Sequence, residues 1–162
     1  MAQGEALTHL DASGAAHVVD VGAKAETARG AIARAKVVMS AAAFVAVRDA
    51  TLKKGDAVAV ARIAGISAAK RTAELIPLCH PLRISSIAVD IRLDEVATSA
   101  EIMARVEAMD RTGVEMEALT AASVAALTLY DMIKAVDRAA HIEGLRVVEK
   151  WGGRTGHHRL EP

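Results

Sequence analysis

Phe44, Tyr130 and Trp151 are the only aromatic residues in this chain of 162 residues. A core with so few rings has to be built from Ala, Val, Ile and Leu. Side chains that small let elements approach closely and leave burial to be gained by self-association. Cysteine is scarcer still. Cys79 stands alone, which excludes an intramolecular disulfide framework and points to a reducing, cytoplasmic setting. Net charge is absent too, with Lys+Arg 20 balanced by Asp+Glu 20. A general nucleic-acid binder needs a basic face and is excluded; a local basic pocket for one phosphorylated small molecule is not. No apolar run reaches the roughly eighteen residues of a membrane span, and the opening MAQGEALTHL lacks the apolar core of a signal peptide. The length fits one domain with a real core. We expect a flexible arm over 1–16, a single α+β domain over 17–156 and a flexible tail over 157–162.

What is present is organised around GVEMEALTAASVAALTLYDMIKAVDR, Gly113 to Arg138. Apolar residues recur there at three- and four-residue steps (Leu119, Ala122, Ala126, Leu129, Ile133, Val136), which predicts one long helix. Upstream, Ile32, Arg34, Lys36 and Val38 alternate with Ala33, Ala35, Val37 and Met39 as in a strand. Ser40 is placed to cap a short helix through Arg48, and Asp56 to cap a second from Ala57 to Leu75, which Pro77 ends. Ile84–Leu93 is apolar at Ile84, Ile87, Val89, Ile91 and Leu93, Ser99–Met109 alternates, and a short link joins the two, so an antiparallel hairpin is expected. Leu145–Glu149 gives a last strand, and Trp151 onward reads as loop. The predicted fold is α+β: a ferredoxin-like antiparallel sheet with helices packed on one face.

Three stretches could carry chemistry. In LIPLCHPL (75–82), Pro77 and Pro81 stiffen the chain and push Ile76 and His80 toward extended backbone. Either His80 is presented to a ligand or the segment is a connector holding a structural histidine. A Cys79–His80 nucleophile pair is disfavoured, since neighbours on extended backbone point apart. Zinc is disfavoured as well, because there is no second cysteine. The second stretch is a scatter of cations that includes Lys54, Lys70, Lys150 and Arg154. Each is a solvated charge or a phosphate contact. The third is the long helix itself. Asp131 and Lys134 share a face at three-residue spacing, either as a simple surface ion pair or as a partly buried pair with pKa values moved into a useful range. If Glu117 also belongs to this helix, it lies about 21 Å from Asp131 at 1.5 Å per residue. One small substrate cannot span that distance within one chain, so a neighbouring subunit would complete the site.

Taken together, LIPLCHPL (75–82), RTGVEMEALTAASVAALTLYDMIKAV (111–136), ARIAGISAAKRT (61–72), HVVDVGAKAETAR (17–29) and GGRTG (152–156) resemble the MoaC family. The resemblance runs from about His17 to Gly156. It implies a lyase that converts 3',8-cyclo-7,8-dihydroguanosine 5'-triphosphate, supplied by an upstream radical enzyme, to cyclic pyranopterin monophosphate and pyrophosphate. It further implies a cytoplasmic homohexamer built from dimers with interface sites, acting on a small molecule and not on nucleic acid or membrane. Carried over by motif, Asp131, Lys134 and Lys54 are the expected catalytic residues. Leu78, Cys79, His80, Glu115, Met116 and Glu117 are the expected substrate-binding residues, with Arg29, Lys70 and Lys150 as phosphate or base contacts. Because the implied steps move protons without redox change, no cofactor and no metal is expected. A non-catalytic pterin- or nucleotide-binding oligomer would share the pocket and the cations. It would be favoured if Asp131 and Lys134 lay far from His80 of every neighbouring subunit. Two positions depart from the family's pattern: Trp151 stands where a small polar residue is common, and Arg154 where lysine is. Arg154 keeps the charge but changes its geometry.

Overall fold

The structure is a computed structural model that describes residues 13–154 and 156–160. Most of the expected arm, and the last two residues of the expected tail, lie outside these. The elements run β1 (Thr27–Val38), α1 (Ala41–Arg48), α2 (Ala57–Ala69), α3 (Thr72–Leu75), β2 (Ile84–Asp94), β3 (Ser99–Asp110), α4 (Glu115–Ile133), β4 (His141–Trp151) and β5 (His158–Arg159). The sheet order is β2-β3-β1-β4-β5, with every pair antiparallel. Its first four strands, with α2 and α4 as crossovers, reproduce the expected ferredoxin-like arrangement.

Alternation decides which face each strand buries. Ala31, Ala33, Ala35 and Val37 of β1 are buried, as are Ala100, Ile102, Ala104, Val106 and Ala108 of β3. On β2 the apolar residues do not alternate evenly, because Ile84 and Ile87 have opposite parity. A bulge between Ile84 and Ser86 resolves this: Ile84 pairs with Ala108 and Ile87 with Val106, so both face the core.

The alanine-rich composition has its consequence where α2 meets α4. Ala118, Ala121, Ala122, Ala125 and Ala126 of α4 are fully buried, and Gly65 of α2 lies against them. A Cβ at Gly65 would sit 2.8 Å from the Ala121 carbonyl oxygen and 3.1 Å from the Ala125 Cβ. By length and mean hydropathy α4 could cross a membrane, yet 56% of that stretch is packed inside the fold, as in a core helix.

Several boundaries differ from the sequence pattern. The helix expected from Ala57 to Leu75 breaks after Ala69. Arg71 N–H turns back to the Ala68 carbonyl at 2.9 Å, and the buried Thr72 hydroxyl donates to the Ala69 carbonyl at 3.0 Å. A side chain thus takes a bond that the next helical N–H would have taken. The long helix ends at Ile133, so Val136 lies beyond it and is 50% exposed instead of continuing the apolar stripe. β4 begins four residues before the expected Leu145, because Gly144 sits at a register irregularity opposite β1 with φ +64° and does not end the strand. The region beyond Trp151, expected as loop, adds the two-residue β5 on the edge of β4.

Candidate active site

Helix α4 carries a candidate cluster at each end. At its C-terminal end, Lys134 Nζ lies 2.6 Å from Asp131 Oδ1, as expected for residues three apart. Lys54 arrives from the turn between α1 and α2, where Gly55 N–H bonds to the Leu52 carbonyl at 3.0 Å. Its Nζ donates to Asp131 Oδ2 at 2.6 Å and to the Asp131 carbonyl at 2.9 Å. The three expected catalytic residues therefore form one cluster, although Lys54 is distant in sequence.

Partial burial of this cluster is not borne out. The side chains of Asp131, Lys134 and Lys54 are 52%, 53% and 45% exposed. Hydrogen bonds from Lys134 and then Lys54 hold the Asp131 carboxyl down at about 2, and the same contact pushes Lys134 upward. The pairing keeps the carboxylate ionised and the ammonium protonated. In the free chain this is a fixed assembly of charge, not a group poised near neutrality.

At the N-terminal end of α4, Glu115, Met116 and Glu117 meet the proline-flanked segment at a cavity of about 520 Å³. Leu78, Cys79 and His80 line its other side. The segment is not extended throughout: Cys79 N–H bonds back to the Ile76 carbonyl at 3.0 Å, which makes a turn with Pro77 at its first corner. Ile76 itself has the expected extended backbone, φ −114° and ψ 105°. His80 Nε2 lies 2.7 Å from the Val19 carbonyl oxygen. A carbonyl only accepts, so Nε2 carries the proton and Nδ1 is left as the acceptor of the neutral ring.

Glu117 is only 3% exposed, and burial drives its carboxyl from the ordinary 4.5 up to about 7, helped by the negative charges of Glu115 and Asp110. A helix N-terminus favours anions, so the desolvation outweighs the helix dipole here. Burial, with a contribution from the Glu117 charge, also pushes the Cys79 thiol up, which makes it a poor nucleophile at neutral pH.

Glu115 turns toward Lys150 on β4, Oε1 to Nζ 2.8 Å. Its carboxylate occupies the space a side chain at Gly113 would need. Arg29 on β1 backs the same wall, donating to the Asp110 carbonyl at 3.4 Å and the Arg111 carbonyl at 3.2 Å. Lys70 stands apart, on a second cavity of about 450 Å³ with Ile66, Ile84 and Ile87; Leu82 borders both cavities. Val19, Val21 and Lys24, for which the sequence gives no expected site role, all line the first cavity. Their signal was the HVVDVGAK stretch itself, an apolar run with a lysine immediately beyond it.

The model of the MoaC family matches residues 18–153. Over 155 residues the chain is 57% identical to the cyclic pyranopterin monophosphate synthase of Thermomicrobium roseum, covering 96% of this chain and 93% of that protein. It is 53% identical over 155 residues to the cyclic pyranopterin monophosphate synthase of Heliobacterium modesticaldum, covering 96% and 98%. The chain belongs to the MoaC family.

One of the two positions at which this MoaC-family chain departs from the expected pattern, Trp151, has a defined seat. Its ring lies against Gly30, where any side chain would collide with it. The Arg105 guanidinium stands 4.8 Å over the same ring, and His157 meets it edge-on at 6.3 Å. The ring anchors the turn that follows, in which Gly152 and Gly153 take φ +93° and +70°. A Cβ on Gly152 would strike the Ala28 carbonyl, and one on Gly153 the Arg29 guanidinium. The tryptophan thus fixes a glycine turn over Arg29 on the wall behind the cavity. Arg154 is exposed just beyond it.

Proposed function

We infer that this chain has the activity of a cyclic pyranopterin monophosphate synthase in molybdenum cofactor biosynthesis. The observation that carries this is identity of 53–57% to two such enzymes over 96% of the chain. Most of the expected site residues fall into two chemically coherent clusters, with Lys70 apart from both, and this supports the reading. The substrate is 3',8-cyclo-7,8-dihydroguanosine 5'-triphosphate. The reaction opens its purine-derived ring, builds a pyrazine ring and closes a cyclic phosphate as pyrophosphate leaves.

Each cluster suits one part of that chemistry. The N-terminal cavity receives the base-derived end of the substrate. Glu117, titrating near neutrality in a desolvated site, gives and takes protons there, and His80 orients the substrate through its free acceptor. Lys150 and Arg29 add positive charge along the wall, and Lys70 extends it on the far side of Leu82. At the other end, Lys54 and Lys134 are two ammonium groups pre-oriented by one carboxylate. Triphosphate oxygens compete with Asp131 for them, and the ammonium groups stabilise the charge that builds on departing pyrophosphate. Released from its lysines, Asp131 becomes a base able to accept a proton.

Glu117 and Asp131 lie on one continuous helix, so about 21 Å of axis separates them. One substrate reaches both chemistries only where the C-terminal cluster of one subunit faces the N-terminal cavity of another. We propose a homohexamer, a trimer of dimers, with shared sites. The outward apolar side chains Val60 (42% exposed), Ile63 (64%) and Leu127 (56%) on α2 and α4 offer surface for such contacts. We place the reaction in the cytoplasm, downstream of a radical enzyme that forms the cyclised nucleotide.

The test is incubation of the purified protein with the cyclised nucleotide while following pyrophosphate. Release with turnover is expected, and its absence from folded protein would refute the assignment. Mixing Asp131→Ala with His80→Ala tests the shared site. Each alone is inactive, and mixed assemblies regain activity because some sites take an intact half from each chain. No recovery despite proven subunit exchange would place both halves in one chain.

A further inference from the structure

We propose that Asp137, which belongs to neither cluster, is a positioning residue that keeps Lys54 seated on Asp131 by fastening α1 to the turn after α4. The catalytic meaning of this rests on the proposed function; the structural coupling does not. Asp137 is 9% exposed, although it lies in a surface turn. Its Oδ2 accepts the Ser40 N–H at 2.6 Å from 97 residues away, and its Oδ1 accepts the Ala139 N–H at 2.9 Å. Its own N–H returns to the Ile133 carbonyl at 2.9 Å, which sets the carboxylate about one turn beyond Lys134.

Ser40 is the N-cap of α1. That helix rests on the core through Ala43, Phe44 and Val47. It then closes through Thr51 N–H to the Ala46 carbonyl at 3.0 Å, and the chain leads into the turn that bears Lys54. The segment 40–54 is therefore tied at both ends to the same short stretch, Asp131 to Asp137: by Ser40 at one end and Lys54 at the other. Both ties are charge-assisted and short. Releasing the first leaves α1 free to shift against α4, and Lys54 shifts with it. A displacement of about 1 Å at a reacting group can cost on the order of a hundredfold in rate.

A carboxylate suits the site because N–H donors reach both of its oxygens, Ser40 at Oδ2 and Ala139 at Oδ1, with Ala140 and the Ser40 side chain adding further hydrogen bonds. Asparagine has the same shape but one acceptor, so its NH₂ would face a donor. Asp137→Asn is thus a mild variant that weakens the tie, because one neutral oxygen must be shared where two charged ones accepted. Ser40→Pro breaks the tie from the other side, together with the Ser40 hydroxyl cap on Ala43: Ser40 has φ −67°, which proline shares, and proline lacks the N–H.

The readout is the carboxyl midpoint of Asp131, followed by carbon-13 NMR in the full-length protein. Lys54 and Lys134 are the charged groups facing that carboxyl, with Tyr130 near Lys134. Lys54→Ala raises the midpoint by removing one of the two lysines. Asp137→Asn and Ser40→Pro should each raise it by about half a pH unit, and neither should raise it further in the Lys54→Ala background. In turnover, Asp137→Asn should lower kcat about tenfold with KM changed less than about twofold, and should cost nothing more once Lys54 is gone. An unchanged Asp131 midpoint in a folded variant, or a rise that adds fully to that of Lys54→Ala, would overturn the proposal and leave α2, which begins just after Lys54, as the element that holds it. Wild-type protein that releases no pyrophosphate would refute the proposed function, while the midpoints would still decide the coupling.

Discussion

Replacing Glu117 by glutamine should make the protein more stable, and only at neutral to alkaline pH. Glutamine keeps the shape and cannot ionise, so the variant removes the cost of holding a carboxylate in a desolvated cavity. In the unfolded chain the carboxyl titrates near its ordinary 4.5; in the fold it titrates at about 7. Below 4.5 both states are protonated and Glu117 carries no electrostatic cost. Between 4.5 and 7 the unfolded chain releases the proton and the folded chain keeps it, so stability falls as pH rises. Above 7 the penalty is complete. At 1.36 kcal/mol per pH unit it amounts to about 3 kcal/mol, an upper figure because water entering the cavity would relieve part of it. Chemical denaturation of wild type and Glu117→Gln from pH 4.5 to 8.5, at one fixed protomer concentration, gives the difference curve directly. Titrating groups that do not interact with Glu117 cancel in the difference. It should start near zero and climb toward about 3 kcal/mol in favour of the variant, with its midpoint between 5 and 7. The same variant should release pyrophosphate much more slowly, since it can no longer exchange a proton. A flat difference curve, or one that falls with pH, would mean that Glu117 is ionised in the fold and that proton transfer at neutral pH belongs elsewhere.

Asp131→Asn should fold normally, with Tm within about 2 °C of wild type, because the carboxylate is half exposed; pyrophosphate release should drop by about a hundredfold or more. Near-normal turnover would remove Asp131 from the reaction. Gly65→Ala tests the close approach of α2 to α4. A helix gains about 1 kcal/mol from the exchange, but the added methyl must displace the Ala121 carbonyl, at a cost of about 1–3 kcal/mol. Thermal unfolding should show net destabilisation, and a rise in Tm would mean that the two helices part without penalty. Gly153→Ala places a methyl on the Arg29 guanidinium at a positive φ. It should raise KM for the nucleotide more than it lowers kcat, measured by steady-state pyrophosphate release.

Much of the fold was legible because the strands of this sheet bury one face only. Alternation along Ile32–Met39 and Ser99–Met109 fixed both the elements and the buried side, and Ser40 and Asp56 cap the helices they were expected to cap. The pattern failed where side-chain and backbone geometry compete with periodicity. Nothing in the run from Ala57 to Leu75 shows that the Thr72 hydroxyl will take the Ala69 carbonyl, since that bond needs Thr72 buried by the rest of the fold. Gly144, just before the expected start of the last strand, serves a bulge within β4. In the candidate site, the motifs supplied the expected residues and the helical rise their expected separation. The surroundings were not legible. Whether Asp131 is buried depends on what covers the end of α4, and Lys54 comes to it through a turn whose direction no local pattern sets. Val19 and Lys24 line the cavity on a stretch of chain that the His80 ring contacts through the Val19 carbonyl, a pairing no local pattern announces.

Fourteen residues of α-helix make just under four turns, so Glu117 and Asp131 differ by only about 40° in direction around the α4 axis. A single inserted residue between them would swing everything beyond it by about 100° and advance it by 1.5 Å. That would turn Asp131 away from Lys54, which is held by a different part of the chain. Substitutions along α4 adjust packing by degrees, but a change of length shifts the phase all at once. The helix therefore behaves as a component whose composition can drift while its residue count stays fixed, and any lengthening of this chain has to be accommodated in its loops.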